Sequence, residues 1–259
     1  MELFDSHAHY DDEKFNGDRE EVIRAIYNSG VTKFVSAGYS LESSKKGIEI
    51  ANTYEYIYTT CGISPNDIPD TIEEVDSQLA EIEKLASNNP KVVAIGEIGF
   101  DYYWNKENKE IQKYVFEKQI EIANRLNLPI MIHTRDAIMD TIEIIKNTEF
   151  AKPGIFHCCP QNKDLIEAGV KKGFYISFAG PITFKNSKNA DEMINLVPIN
   201  QILIETDSPY LSPEPNRGKR NDSRNVKYVA EKIANSRNMN VEDIAKITYE
   251  NAKKVFNIN

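Results

Sequence analysis

Eight short apolar runs, rich in β-branched residues, recur along the chain with helical patterns between them. The runs are Leu3–Asp5, Lys33–Ala37, Ile57–Gly62, Val92–Gly96, Pro129–His133, Gly154–His157, Phe174–Ser177 and Ile202–Glu205. Between them, Asp18–Ser29 sets Val22, Ile23 and Ile26 on one helical face, and Ile72–Ala86 spaces Val75, Leu79, Ile82 and Ala86 by three or four residues. Glu107–Leu126 does the same with Ile111, Val115, Phe116, Ile120 and Ala123. Leu41–Asn52, Ala137–Lys146, Lys163–Lys172, Asp191–Leu196, Arg224–Asn235 and Val241–Val255 complete the expected helices. Near-continuous apolar strands alternating with helices indicate a parallel sheet with crossover helices, because such strands are covered on both faces. Eight is also the number that closes a (β/α)8 barrel. The expected fold is therefore an α/β TIM barrel, built as one domain over residues 1–259. An open nucleotide-binding sheet would carry a Gly-rich phosphate turn after its first strand. Here the residues are Ser6-His7-Ala8-His9 instead.

Composition removes several classes of function. No apolar run approaches the roughly 20 residues of a membrane span, and the N-terminus lacks the basic-then-apolar pattern of a secretory leader. Three cysteines, two of them adjacent (Cys158, Cys159), do not make a disulfide framework and fit a reducing cytoplasm. With a net charge of −9, the chain cannot grip a polyanion by bulk charge. A nucleic-acid substrate would need local cations.

The chemistry concentrates at the ends of the runs. His7 and His9 follow the first, Glu97 the fourth and Asp207 the eighth, while His133 and His157 end the fifth and sixth. In a barrel these ends meet on one face, where active sites form. Any one of these residues alone reads as a packed or capping side chain. The chain has only four histidines, however, and all four fall at strand ends of the same polarity. Imidazole with carboxylate suits Zn²⁺, Mn²⁺, Fe or Ni²⁺. Side chains two apart on a strand point the same way, so His7 and His9 can hold one ion together. Six ligands exceed the needs of one catalytic Zn²⁺. Two divalent ions sharing Glu97 would use them all.

Weaker features surround this set. Asn216-Arg217-Gly218-Lys219-Arg220-Asn221 is a basic loop after the eighth run, in which Arg217 and Lys219 offer a phosphate clamp. Arg135 lies two residues beyond His133. Tyr102, Tyr103 and Trp104 follow Glu97, where an exposed ring can stack on a base.

These motifs together resemble the TatD-type deoxyribonucleases, metal-dependent hydrolases of the amidohydrolase-like superfamily. The resemblance covers the whole chain. It is carried by Leu3-Phe4-Asp5-Ser6-His7-Ala8-His9, Ala94-Ile95-Gly96-Glu97-Ile98-Gly99-Phe100-Asp101-Tyr102 and Pro129-Ile130-Met131-Ile132-His133-Thr134-Arg135. Gly154-Ile155-Phe156-His157-Cys158, Ser177–Phe184 and Leu203-Ile204-Glu205-Thr206-Asp207-Ser208-Pro209 extend it. The resemblance implies a (β/α)8 barrel and exonucleolytic, divalent-metal-dependent hydrolysis of DNA, single-stranded or at 3′ ends. It implies His7, His9, Glu97, His133, His157 and Asp207 as ligands of two divalent ions (Zn, Mg, Mn or Ni). Asp207 and Glu97 are then the catalytic carboxylates, and Arg135, Arg217, Lys219 and Tyr102 are substrate contacts. No membrane and no obligate protein partner are expected. The rival within the superfamily is an amidohydrolase or lactonase acting on a small amide or ester. Those relatives often bridge their metals with a modified lysine, where this chain has Glu97. Two departures stand out: Ser64 and Asn66 replace histidines common in the family, and Cys159-Pro160-Gln161 replaces its usual Phe-Ser-Gly.

Overall fold

The computed structural model describes residues 1–258. Eight strands alternate with helices: β1 (Leu3–Ala8), β2 (Val31–Ser36), β3 (Ile57–Cys61), β4 (Val92–Asp101), β5 (Ile130–Arg135), β6 (Ile155–Phe156), β7 (Tyr175–Phe178) and β8 (Ile202–Ile204). They form one parallel sheet in sequential order. The end of β1 and the segment that follows β8 meet through an isolated parallel bridge at Ala8 and Ser208, and the Asp207 amide donates to the His7 carbonyl at 2.9 Å. The eight-stranded barrel expected from the apolar runs is thus the fold. The helices are α1 (Arg19–Asn28), α2 (Leu41–Thr53), α3 (Ile72–Asn88), α4 (Lys109–Leu126), α5 (Ile138–Asn147), α6 (Lys163–Lys171), α7 (Ala190–Leu196), α8 (Val226–Arg237) and α9 (Val241–Phe256). Their buried residues are those that the helical spacing marked, such as Val22, Ile23 and Ile26 on α1 and Val75, Leu79, Ile82 and Ala86 on α3. No helix among the described residues is long and apolar enough to cross a membrane.

Two apolar layers follow from the alternation of side chains along a strand. The larger lies between strands and helices. The smaller takes Phe4, Val35, Tyr58, Val93, Met131, Ile155, Tyr175 and Leu203, one from each strand, and packs them against Val255, Phe256 and Ile258 at the end of the chain. A barrel filled in this way is a solid platform. Its upper surface is Met131, whose Sδ lies 2.9 Å from Nδ1 of His7. The metal-ligating candidates stand on this floor.

One boundary differs from expectation in a way that matters. The sequence reading ends the fourth strand at Gly96 and places Glu97 beyond it, but β4 continues to Asp101. Pairing with β5 runs Ile95↔Ile130 and then Ile98↔Ile132, so β4 carries one extra residue at Gly96-Glu97. Such a bulge re-aims a side chain without ending the strand. Gly99, with φ +138°, then passes so close to the His133 carbonyl that a Cβ would lie 2.1 Å from its oxygen. Only glycine fits there. His7 likewise lies within β1 rather than after it.

Candidate metal centre

The six candidate ligands come together at the C-terminal ends of the strands. His7 and His9 face each other, Nε2 to Nε2, at 3.0 Å. The Nδ1 of His9 points at the Ala37 carbonyl (3.1 Å), and that of His7 at the Met131 sulfur. Both of those partners only accept, so each Nδ1 carries a proton, and in the neutral ring each Nε2 presents a lone pair. Two lone pairs at 3.0 Å repel unless a positive charge lies between them. Oδ1 of Asp207 lies 3.4 Å from Nε2 of His7 and 3.2 Å from that of His9, and Oε2 of Glu97 lies 3.5 and 3.6 Å from the same two atoms. This donor set fits a divalent cation.

A second set lies on the other side of Glu97. Its Oε1 is 3.0 Å from Nδ1 of His133 and 3.5 Å from Nε2 of His157, and those two nitrogens are 3.1 Å apart. The His133 Nε2–H donates to Oδ2 of Asp101 at 3.0 Å, which leaves its Nδ1 as the acceptor that faces the site. The rings of His7 and His157 stack at 4.0 Å, so the two sets share one wall. Ligand atoms of His7, His9 and Asp207, and of His7, Glu97 and His157, lie within 4.8 Å of one another.

The electrostatics show a site in which protons stand in for cations. Burial disfavours charge on His9, but pairing with Asp207 and Glu97 outweighs it and pushes the imidazole up to about 9. Burial likewise opposes charge on Glu97, yet His157, His133 and His7 hold its carboxyl well below the usual range. Asp207 is held low against burial by His7 and His9.

Two positioning residues were missed by the sequence reading. Asp101, 1% exposed, accepts from His133 and Asn66 on Oδ2 and from the amides of Tyr103 and Trp104 on Oδ1. These donors outweigh its burial and hold its carboxyl at about 2. Its signal was the continuation Glu97-Gly99-Asp101 at strand spacing, hidden by Gly96. Buried Asp5 ties β1 to the loop after β8, accepting from the Thr206 amide at 2.9 Å and from the His7 amide at 3.3 Å. It thereby sets His7 against Asp207. Glu205, fully buried, accepts from the Cys158 amide at 2.7 Å and lies 3.5 Å from Nδ1 of His157.

The centre opens into a cavity of about 890 Å³ lined by His9, Glu97, His133, His157 and Asp207 together with Tyr39, Asp67, Trp104, Arg135, Ile182 and others. Arg135 is the one Lys or Arg among the described residues lining it. Of the other expected substrate contacts, the structure brings none to the cavity. Arg217 is exposed and lies over the Phe184 ring at 4.1 Å, a cation–π contact. Lys219 is exposed beside Asn216. Tyr102 turns inward, 6% exposed, its hydroxyl donating to Asp140 at 2.6 Å. Of the residues replacing family histidines, Ser64 donates to Asp67 at 2.6 Å and Asn66 to Asp101 at 3.1 Å, and both line the cavity.

The family model described as TatD related DNase matches residues 4–257. The chain belongs to the TatD family. YabD of Bacillus subtilis (strain 168), named a metal-dependent hydrolase, is 45% identical over 99% of this chain and 100% of its own length. YcfH of Escherichia coli (strain K12), also named a metal-dependent hydrolase, is 33% identical over 100% of this chain and 97% of its own length. Among solved structures, the TatD homologue YJJV from E. coli K12 superposes with a TM-score of 0.92 at 25% identity, covering 99% of this chain and 98% of that one. This TatD-family protein is accordingly a metal-dependent hydrolase. A lactonase template engineered toward organophosphate hydrolysis shares the barrel (TM-score 0.69, 13% identity, 98% of this chain and 95% of that one) and speaks to fold alone.

Proposed function

We propose that this TatD-family protein is a deoxyribonuclease that uses two divalent cations to hydrolyse phosphodiester bonds at the ends of single-stranded DNA, and that it works in the cytoplasm. One observation carries the dinuclear reading: Glu97 turns Oε2 toward His7 and His9 and Oε1 toward His133 and His157. A carboxylate split in this way would be shared between two cations, one on each side. His7, His9 and Asp207 would hold one cation, and His133 and His157 the other. The imidazole share favours Zn²⁺, Mn²⁺ or Ni²⁺ over Mg²⁺.

Bound divalent cations supply Lewis-acid charge to a phosphoryl oxygen and bring the pKa of water from 15.7 to about 7. The chain's own residues do the rest. Asp207, kept ionised, accepts the proton of the attacking water. Asp101 and Ala37 fix the faces that His133 and His9 present. Arg135 is placed to hold a phosphate at the mouth. A cavity of about 890 Å³ takes a ligand of a few linked units, which favours a strand end over a duplex interior.

The test is to incubate metal-loaded protein with labelled single-stranded DNA, RNA and a panel of amides, esters and lactones. Release of nucleotides from DNA is expected. Turnover of the small molecules with DNA left intact would replace this reading with the amidohydrolase or lactonase alternative. Asp207→Asn should lose hydrolysis by 10²-fold or more, about the lower contribution of a general base. Wild-type turnover by that variant would remove Asp207 from the mechanism.

A further inference from the structure

Trp104 is the chain's single tryptophan and stands 68% exposed at the mouth of the metal cavity. This exposed indole is held in place. The amides of Tyr103 and Trp104 donate to Oδ1 of Asp101 at 3.0 and 3.2 Å. The two rings meet edge to face at 4.8 Å. The Arg135 guanidinium lies 3.8 Å from the Tyr103 ring centroid and 5.6 Å from that of Trp104. The cluster is therefore pre-organised, and a ligand that meets it orders little.

Its position relative to the centre is set by the strands. Asp101 pairs with Arg135 in the β4–β5 register, and Asp101 also holds His133. Arg135 follows His133 by two residues, roughly 6.6 Å along a strand. The shelf thus continues directly from the second metal set, within reach of one nucleotide. The chemistry at the mouth is narrow. Much of the cavity's polar lining is carboxylate, from Asp12, Asp67, Asp101 and Asp207, and it repels anions. Apart from the cations the centre would hold, Arg135 is the one positive side chain of the Lys and Arg type in that lining, beside a flat neutral π-surface. A flat uncharged ring joined to a phosphate matches both.

We propose that Trp104 and Arg135 form a nucleobase subsite, in which the indole face stacks a base of single-stranded DNA and Arg135 takes the phosphate attached to it. This assignment rests on the nucleic-acid reading above and adds where the strand is held. Stacking on an aromatic face tolerates any base, so the subsite would bind single strands without reading their sequence.

The single tryptophan makes the test direct. The metal-loaded wild-type chain is titrated with a hydrolysis-resistant phosphorothioate oligothymidine while indole emission is followed, and then with an oligomer of equal length lacking its bases. Quenching is expected from the first and not from the second. For hydrolysis of ordinary oligothymidine, Trp104→Leu should raise KM by about 5- to 100-fold, with the effect on KM rather than kcat, and Trp104→Phe should recover most of it. An unchanged KM in Trp104→Leu, or equal quenching by the oligomer without bases, would overturn the subsite. If wild-type protein hydrolyses DNA without quenching, the subsite falls and the nuclease reading stands. If quenching occurs but DNA is never cut, the subsite stands and the nuclease reading falls. Selective loss of small aromatic ester turnover in Trp104→Leu, with no binding of oligothymidine, would assign the shelf to a different substrate and overturn the proposal.

Discussion

Replacing Asp101 by asparagine should weaken the cation held with His133, although Asp101 is expected to touch no metal itself. Its carboxylate accepts four hydrogen bonds: His133 Nε2 and Asn66 Nδ2 on Oδ2, and the amides of Tyr103 and Trp104 on Oδ1. All four partners are donors. An asparagine in the same place must set its NH₂ against two donors, whichever way it flips. The bond to His133 either loses its charge assistance or gives way to a donor facing a donor, a change of about 1.5–3 kcal/mol. At about 1.4 kcal/mol per tenfold, this is a 10- to 100-fold fall in affinity for that cation, in line with the usual effect of residues behind a metal-bound histidine. His133 would also lose its preference for presenting Nδ1. Calorimetric titration of metal into metal-free protein should resolve one unchanged and one weakened binding step. The ¹⁵N shifts of His133 should move toward a tautomer mixture. Two cations bound with wild-type affinity, together with unchanged His133 shifts, would refute the role assigned to Asp101.

Other outcomes follow from the same geometry. His9 is pushed up to about 9 in the metal-free protein, so a cation entering at pH 7 must expel its proton. Metal titrations in buffers of different ionisation enthalpy should show proton release at pH 7 that fades as pH rises through 9; no release at pH 7 would contradict the pairing described. The sign for folding runs the other way. The folded value lies above the ordinary 6.5, so the stabilisation that His9 gives the metal-free protein is complete below about pH 6.5 and lost as pH passes 9. Met131→Ala removes a fully buried side chain from the inner layer and from beneath His7. Urea unfolding of the metal-free variant should show a loss of about 2–5 kcal/mol, and a loss under 1 kcal/mol would mean that the inner layer is not close-packed.

The reading from residues alone picked out six candidate ligands that the fold brings together, because a barrel makes strand ends and active-site positions the same thing. Ile130-Met131-Ile132-His133 and Ile155-Phe156-His157 each announce a buried apolar run followed by a polar side chain, and this is a local signal, although β5 itself continues to Arg135. Asp101 gave no such signal. Gly96 reads as the end of a strand, and only the pairing of Ile98 with Ile132 shows that β4 resumes beyond its bulge. The aromatic run was ambiguous for a similar reason. Amides anchored on Asp101 turn the chain, so Tyr102 points into the packing and Trp104 out of it, and adjacency in sequence does not say which. The basic loop lies outside the cavity lining for a different reason. The charge of Arg217 and Lys219 is written in the sequence, but its direction is not, and Arg217 lies over the Phe184 ring.

The sequence by itself therefore determined the architecture and the membership of the candidate metal-binding set, because both rest on periodicity and residue type. The sequence also expected Glu97 to be shared, and the tertiary structure decided how its carboxylate reaches both sides. Glu97 serves two pairs of histidines only because a one-residue bulge aims it between β1 on one side and the β5–β6 edge on the other. That is a relation between chain segments far apart in sequence, and no local pattern encodes it.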